Sequence, residues 1–405
     1  MTQERAASWA RRLLWLLPFF CVISPRIEMC AIGVSRIDFR VEDIFIPLVL
    51  LLSFPFLRSK ESESAALPVE RAILLFLIAA EFSILNGMWL QTIDKPLLSF
   101  LYLLKWVQYF LVFWISVRLL TGEDAKVFLA GFFGLGLAVA CYGYWEHFYP
   151  LSKAVYPNYY RLFERPPFHG DANHIGGLLV LWCGFFSGLY AYCKRRAWCL
   201  VLLASLLFVF FPLVWTYSRK SYLALAICLG AAWLLFARKR RYLLLILLLV
   251  IGGLFLPTRL SERLLDLPEA LTSSDPFHSS WSGNLLMWKQ ALWNFEKFAF
   301  FGAGLGVRHR LYYESQYILI LTETGLVGLT AFLSLCWMLI RQSLAGFNRR
   351  SDGLRTGVAA GWLTGFVGLL IHASTCVSLT VSKIAIPFWL LTGCVIVFLK
   401  ERRGS

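Results

Sequence analysis

Residues 198–236 read WCLVLLASLLFVFFPLVWTYSRKSYLALAICLGAAWLLF. Two long apolar runs, Trp198 to Thr216 and Ser221 to Phe236, meet at a short polar turn that carries Arg219 and Lys220. A helix needs about 20 mostly apolar residues to cross the roughly 30 Å of hydrocarbon in a bilayer. The stretch therefore reads as two membrane spans with adjacent cations at the lip between them. Cations in that position hold either lipid headgroups or an anionic ligand.

The rest of the chain agrees with this reading. Of 405 residues, 59% are hydrophobic and 16% aromatic, and the mean hydropathy is +0.65. A water-soluble domain could not hide so much apolar surface, whereas a bilayer needs none of it hidden. The expected fold class is all-α, a single polytopic transmembrane domain over 1–405 with about twelve spans. These are 12–34, 41–57, 71–90, 97–118, 125–148, 174–192, 197–217, 220–237, 241–256, 316–340, 356–376 and 382–399. Arg11 and Arg12 precede an apolar run without a small-residue cleavage site, so the first span reads as uncleaved. The ten cysteines lie mostly inside spans. None has Cys-x-x-Cys spacing, so they read as space-filling side chains.

A net charge of +15 would suit a nucleic-acid partner if it were concentrated on one surface, but it falls in alternate loops. Arg5, Arg11 and Arg12, then Arg58, Lys60 and Arg71, Arg118 and Lys126, Lys194 to Arg196, Arg238 to Arg241, Arg341 to Arg355, and Lys400 to Arg403 mark every second connection. This positive-inside bias places both termini in the cytoplasm and argues against nucleic acid. The intervening loops then face outward, and two are long, 149–173 and 257–315. In the second, Leu285, Trp288, Leu292 and Phe295 recur at helical spacing, which predicts an amphipathic helix over 284–298. Arg219 and Lys220 fall on the same outer side.

There is no Gly-x-x-x-x-Gly-Lys-Ser/Thr loop, Gly-x-Ser-x-Gly elbow or His-Glu-x-x-His pair, and no outer-loop Asp-x-Asp, so neither a nucleotide nor a metal cofactor is expected. Lys105, Glu81, Glu323 and His372 are the few ionisable groups deep in spans. A proton-coupled carrier usually strings more of them across the membrane.

Three segments carry a family resemblance. The first is Phe168-His169-Gly170-Asp171-Ala172-Asn173-His174-Ile175-Gly176, and the second is Thr216-Tyr217-Ser218-Arg219-Lys220-Ser221. The third begins with Trp288-Lys289-Gln290-Ala291-Leu292, runs through Phe301-Gly302-Ala303-Gly304-Leu305-Gly306, and ends with Glu314-Ser315-Gln316-Tyr317-Ile318 and Glu323-Thr324-Gly325. Their order resembles that in the O-antigen ligase and O-antigen polymerase superfamily, membrane enzymes that handle polyprenyl-diphosphate-linked glycans. Two positions depart from the ligase pattern. Asn284 stands four residues before Trp288, where ligases usually have Arg, and Glu314-Ser315 stands where they usually have His-Asn. The departures favour a polymerase, which joins repeat units, over a ligase, which attaches finished glycan to a lipid A core.

The resemblance implies a GT-C-like glycosyltransferase of the bacterial inner membrane with its active site on the periplasmic face. It implies inverting, metal-independent transfer from an undecaprenyl-diphosphate-linked donor to a glycan or lipid A core acceptor. Membrane lipids and a chain-length regulator are further expected partners, and a lipid-linked sugar transporter or flippase is the reading from another class. Departure of a lipid diphosphate builds negative charge on the bridging oxygen, and fixed cations lower that barrier. Arg219 is the first choice for this role, with Lys220, Arg308 and Arg310 as helpers and Arg161 and Arg165 as further phosphate or lipid ligands. The acceptor hydroxyl needs a proton sink. Glu314, aligned with the family's loop histidine, is the candidate base, and His309 is the reserve.

Asn173, Asn284, Trp288, Gln316 and Tyr317 complete the candidate substrate-binding set. Each pick also has a structural reading. Arg219 and Lys220 can snorkel to headgroups, Glu314 and Asn173 can cap helices, and Arg308 to Arg310 can form a solvated run. Trp281, Trp288, Tyr312 and Tyr313 suit an interfacial belt as well as sugar stacking.

Overall fold

The computed structural model describes residues 3–24, 27–32, 35–59, 67–149, 161–163, 168, 172–236, 280–307, 314–347 and 353–400. In chain order the helices are α1 (Gln3–Ile23), α2 (Glu42–Ser59), α3 (Leu67–Trp89), α4 (Pro96–Leu119), α5 (Gly122–Phe148), α6 (Ala172–Tyr192), α7 (Arg196–Trp215), α8 (Arg219–Phe236), α9 (Ser280–Lys297), α10 (Gln316–Phe347), α11 (Gly353–Thr375) and α12 (Ser382–Lys400). Nine described helices are long and apolar enough to cross a membrane. Helices α2 and α8, of 18 residues each, pack into the same bundle. The expected span at 241–256 lies outside the described residues.

The expected first span, 12–34, is corrected. Helix α1 begins earlier, at Gln3, and ends at Ile23. It is followed by a two-stranded antiparallel hairpin, β1 (Ile27–Ile32) and β2 (Ser35–Phe39). Pro25 lacks a backbone N–H and disfavours helix in the residue before it. The apolar residues beyond it pair as strands.

The centre of the bundle is the pairing of α6 with α11. Gly184 and Gly188 face Gly365 and Gly361, and a Cβ at Gly184 or Gly188 would run into the partner's backbone. Small residues at four-residue spacing let two helices approach closely without a hydrophobic driving force between them. Large aromatics fill the space around this contact, and two of their indole N–H groups find acceptors within the membrane interior. The indole N–H of Trp182 donates to the Phe132 carbonyl at 3.1 Å, and that of Trp362 donates to Thr392 Oγ1 at 3.1 Å. Three of the span-placed charges have identifiable partners: Lys105 pairs with Asp43, Glu323 accepts from the Gly306 N–H at 2.9 Å, and His372 lies between two serines. Glu81 is exposed on the helix surface.

Helix α10 is broken at Gly325, where φ is 66°. The freed backbone groups are taken up by the turn that follows α9. Leu326 N–H donates to the Ala299 carbonyl at 2.8 Å and Val327 N–H to that of Phe300 at 3.1 Å. In return Ala303 N–H donates to the Thr322 carbonyl at 2.9 Å and Gly304 N–H to that of Glu323 at 3.0 Å. A Cβ at Gly302 or Gly325 would enter the other segment's backbone, so both close approach and a left-handed φ require glycine here. Broken helices are tolerated in a membrane protein only when neighbours satisfy the opened backbone in this way.

Candidate functional site at one end of the bundle

The turn between α7 and α8 is set by Tyr217, which adopts φ of 50°. A non-glycine residue held left-handed costs of order 1–3 kcal/mol and persists only where its surroundings fix it. Here Thr216 N–H donates to the Pro212 carbonyl at 3.1 Å and Tyr217 N–H to that of Val214 at 3.0 Å. Helix α8 then begins at Arg219 with two cations and no acid in its first turn. A helix N-terminus carries partial positive charge, so the start of α8 concentrates positive charge on one small surface.

Lys220 is buried and ion-paired with Glu314, the residue two before α10 begins. Arg219 is half-buried. Its Nη1 is enclosed and has no hydrogen-bond partner among the described residues. Beside it, Arg161 Nε donates to the Thr216 carbonyl at 3.0 Å, and Arg161 Nη2 donates to Asn173 Oδ1 at 2.8 Å. Asn173 thus serves as an acceptor for Arg161 and ties the entry of α6 to the α7–α8 turn. Four of the sequence-selected residues, Arg161, Asn173, Lys220 and Glu314, are joined in pairs around Arg219.

Other selections have different roles. Gln316 is fully buried; its Oε1 accepts from the Leu379 N–H at 3.1 Å, while its Nε2 has no partner among the described residues. Tyr317 directs its hydroxyl to the Leu370 carbonyl at 2.8 Å and packs against Phe332, so it braces α10 on α11. Trp288 is half-buried on α9, with its indole N–H enclosed and unpartnered among the described residues. Asn284 lies on α9, with its side chain outside the described set. Arg165, Arg308, His309 and Arg310 lie outside the described residues.

Several residues that sequence reasoning did not select belong to the same end. His372 is fully buried, with Nε2 3.3 Å from Ser221 Oγ and Nδ1 2.8 Å from Ser378 Oγ. Ser221 donates in turn to Ser218 at 2.9 Å. A neutral ring with its proton on Nε2 satisfies this whole chain of bonds. Gly177 leaves room for the imidazole, so α6, α8 and α11 are fixed together directly behind Arg219 and Lys220. Lys383, buried at the start of α12, donates to the Phe168 carbonyl at 2.5 Å and anchors the entry to α6. Glu146 is buried and accepts from the Phe163 N–H at 2.8 Å. Lys383 had a sequence signal, since it is another cation at the cation-poor end. His372 stood out only as an ionisable group deep in a span, and Ser221 had no signal, because neither type marks chemistry without its partner.

The arrangement can bind an anion at the start of α8 and holds a carboxylate against one of the cations that would bind it. Among curated proteins, no match to this chain was found. The segment 203–333 matches a family model described as O-antigen ligase. It takes in Arg219, Lys220, α9, the glycine turn, Glu314 and the kink of α10, and leaves Arg161, Asn173, His372 and Lys383 outside. The matched segment agrees with the resemblance to the O-antigen ligase and polymerase superfamily that the order of the motifs carries, and the helical architecture is consistent with it.

Proposed function

We propose that the chain is a membrane glycosyltransferase that polymerises surface-polysaccharide repeat units, using an undecaprenyl-diphosphate-linked oligosaccharide as donor at the periplasmic face of the inner membrane. The observation that carries the reading is the guanidinium of Arg219, half-buried at a helix N-terminus with Nη1 unpartnered among the described residues, next to the Lys220–Glu314 pair. A lipid diphosphate presents its charge at the interface, so these groups meet it without crossing the hydrocarbon.

Transfer forms a bond between the acceptor hydroxyl oxygen and the anomeric carbon and breaks the bond from that carbon to the diphosphate oxygen, which leaves with the electron pair. Arg219 grips a phosphate through two parallel hydrogen bonds. A preorganised donor of this kind is commonly worth about 3–4 kcal/mol in the transition state. Lys220 is the second phosphate ligand. When phosphate competes for its ammonium, the Glu314 carboxylate is released to take the acceptor's proton, a step typically worth about two to four powers of ten. Arg161 holds the turn, and Arg165, Arg308 and Arg310 are further cations for the donor. His309 is the alternative base. Asn284 and Trp288 are proposed to face the glycan, whereas the buried Gln316 braces the entry of α10 through Leu379.

Asn284 and Glu314-Ser315, which depart from the ligase pattern, favour polymerase. A second reading, transfer of finished glycan to a lipid A core, is favoured by the description of the matching family model. Purified protein given only the lipid-linked repeat unit distinguishes them. Lengthening of the lipid-linked glycan supports the polymerase, a strict requirement for a lipid A core supports the ligase, and no transfer in either case removes the glycosyltransferase reading.

A further inference from the structure

At the opposite end of the bundle a cavity of about 720 Å³ opens between the starts of α5, α7 and α11 and the ends of α6 and α12. Its walls are apolar, with Phe133, Phe185, Leu189, Leu202 and Val358 inside. Its mouth carries Lys126, Lys194 and Arg195, with Trp198 beside them. This volume lies within the roughly 300–1,000 Å³ of pockets that enclose small organic ligands.

The charge at the mouth has one sign. Lys126 is paired with Glu123, which leaves the cations of Lys194 and Arg195, both exposed, in excess. Helices α7 and α11 both start here without an acidic residue in the first turn, and Arg195 at the α7 N-cap makes no side-chain cap. The partial positive charge of these termini adds to that of the side chains. An apolar hole under a cationic lip fits an amphiphile with a hydrocarbon tail and an anionic head. The loops at this end carry the cationic excess that the positive-inside bias assigns to the cytoplasm, and anionic phospholipids supply such an amphiphile in that leaflet.

We infer that this cavity is a binding site for an anionic phospholipid of the cytoplasmic leaflet, with an acyl chain between Phe185, Leu202 and Val358 and the phosphate held by Lys194 and Arg195. The site uses none of the residues of the candidate active end, so it stands or falls independently of the glycosyltransferase reading.

The test is lipid retention by the full-length purified protein, read by native mass spectrometry after exchange into mixed micelles of phosphatidylglycerol or of phosphatidylcholine. The wild type is expected to retain phosphatidylglycerol at least about tenfold better than phosphatidylcholine. The double variant Lys194→Gln/Arg195→Gln keeps Arg196 as a topology signal and should lose that preference. Leu354→Trp, at an exposed wall position, should reduce retention of both lipids without changing charge. Equal retention of the two lipids by the wild type would overturn the inference, as would phosphatidylglycerol retention unchanged in both variants when their thermal unfolding matches the wild type.

Discussion

Lys220 and Glu314 are ion-paired across 94 positions of sequence, which couples the first turn of α8 to the entry of α10. The lysine is nearly enclosed, with 9% side-chain exposure, whereas the carboxylate at 34% still reaches solvent. The partner that can move is therefore Glu314. Glu314→Gln keeps the shape and removes the proton acceptor. Turnover should fall about 10²- to 10⁴-fold while donor affinity changes far less, as checked by single-turnover rates alongside a donor-binding titration. An unchanged rate would reduce Glu314 to a structural partner of Lys220.

Arg219→Ala removes the proposed phosphate clasp and leaves Lys220, Arg161 and the helix in place. The expected loss is about 10²- to 10³-fold in transfer rate, the range seen when one preorganised donor is deleted. Arg219→Lys should recover only part of it, since an ammonium cannot make the two parallel bonds of a guanidinium. Comparing glycan length on gels for the three proteins at equal membrane levels provides the check.

The Gly302–Gly325 crossing should tolerate side chains poorly. Gly325→Ala places a Cβ against the Phe300 backbone at a left-handed φ. Conformational strain alone costs about 1–3 kcal/mol, and the displaced hydrogen bonds add to it. A lowered unfolding temperature in detergent, with loss of activity in proportion, is the expected result. A wild-type unfolding curve would contradict the view that this turn repairs the broken helix.

His372→Ala deprives Ser221 and Ser378 of their shared partner in a buried setting. An unsatisfied buried polar group costs about 1–3 kcal/mol, so stability should drop by that order while the arginine and lysine are untouched. Thermal unfolding of His372→Ala beside Gly177→Ala, which crowds the same ring, measures the effect. Stability equal to wild type in both would show that the Ser221–His372–Ser378 chain does not brace the site.

Much of the architecture was legible because a membrane imposes long apolar helices with cations at alternate ends. The expected 97–118, 174–192 and 382–399 reappear as Pro96–Leu119, Ala172–Tyr192 and Ser382–Lys400. Hydropathy failed at 12–34, where it could not distinguish an apolar helix from the Ile27–Ile32 strand. It also underestimated α10, which runs on to Phe347 through polar residues. At the site, Arg219 and Lys220 stood out as charges between apolar runs, and Glu314 through the family resemblance. That Lys220 and Glu314 would pair did not, because each looked suited to a separate role and nothing in the sequence brings together two residues 94 positions apart. Ser221 with His372, separated by 151 positions, and Lys383 with Phe168, separated by 215, were hidden for the same reason. These are tertiary pairings that local pattern does not encode.

Orientation can be read from the two ends separately. A single cysteine in place of Tyr149, which is 69% exposed, should react with an impermeant maleimide added outside intact cells. One in place of the exposed Lys194 should react only after permeabilisation. The reverse pattern would put the candidate site in the cytoplasm, where the proposed donor glycan does not lie.

The central claim is that Arg219 holds the diphosphate of a lipid-linked glycan donor while its sugar is transferred. The most direct measurement is single-turnover transfer from a lipid-linked repeat unit by the full-length protein in nanodiscs, comparing wild type with Arg219→Ala at saturating donor. The account predicts rapid glycan transfer by the wild type and a rate at least about 100-fold lower in the variant, with both proteins giving the same unfolding curve. Equal transfer rates in the two proteins would contradict it.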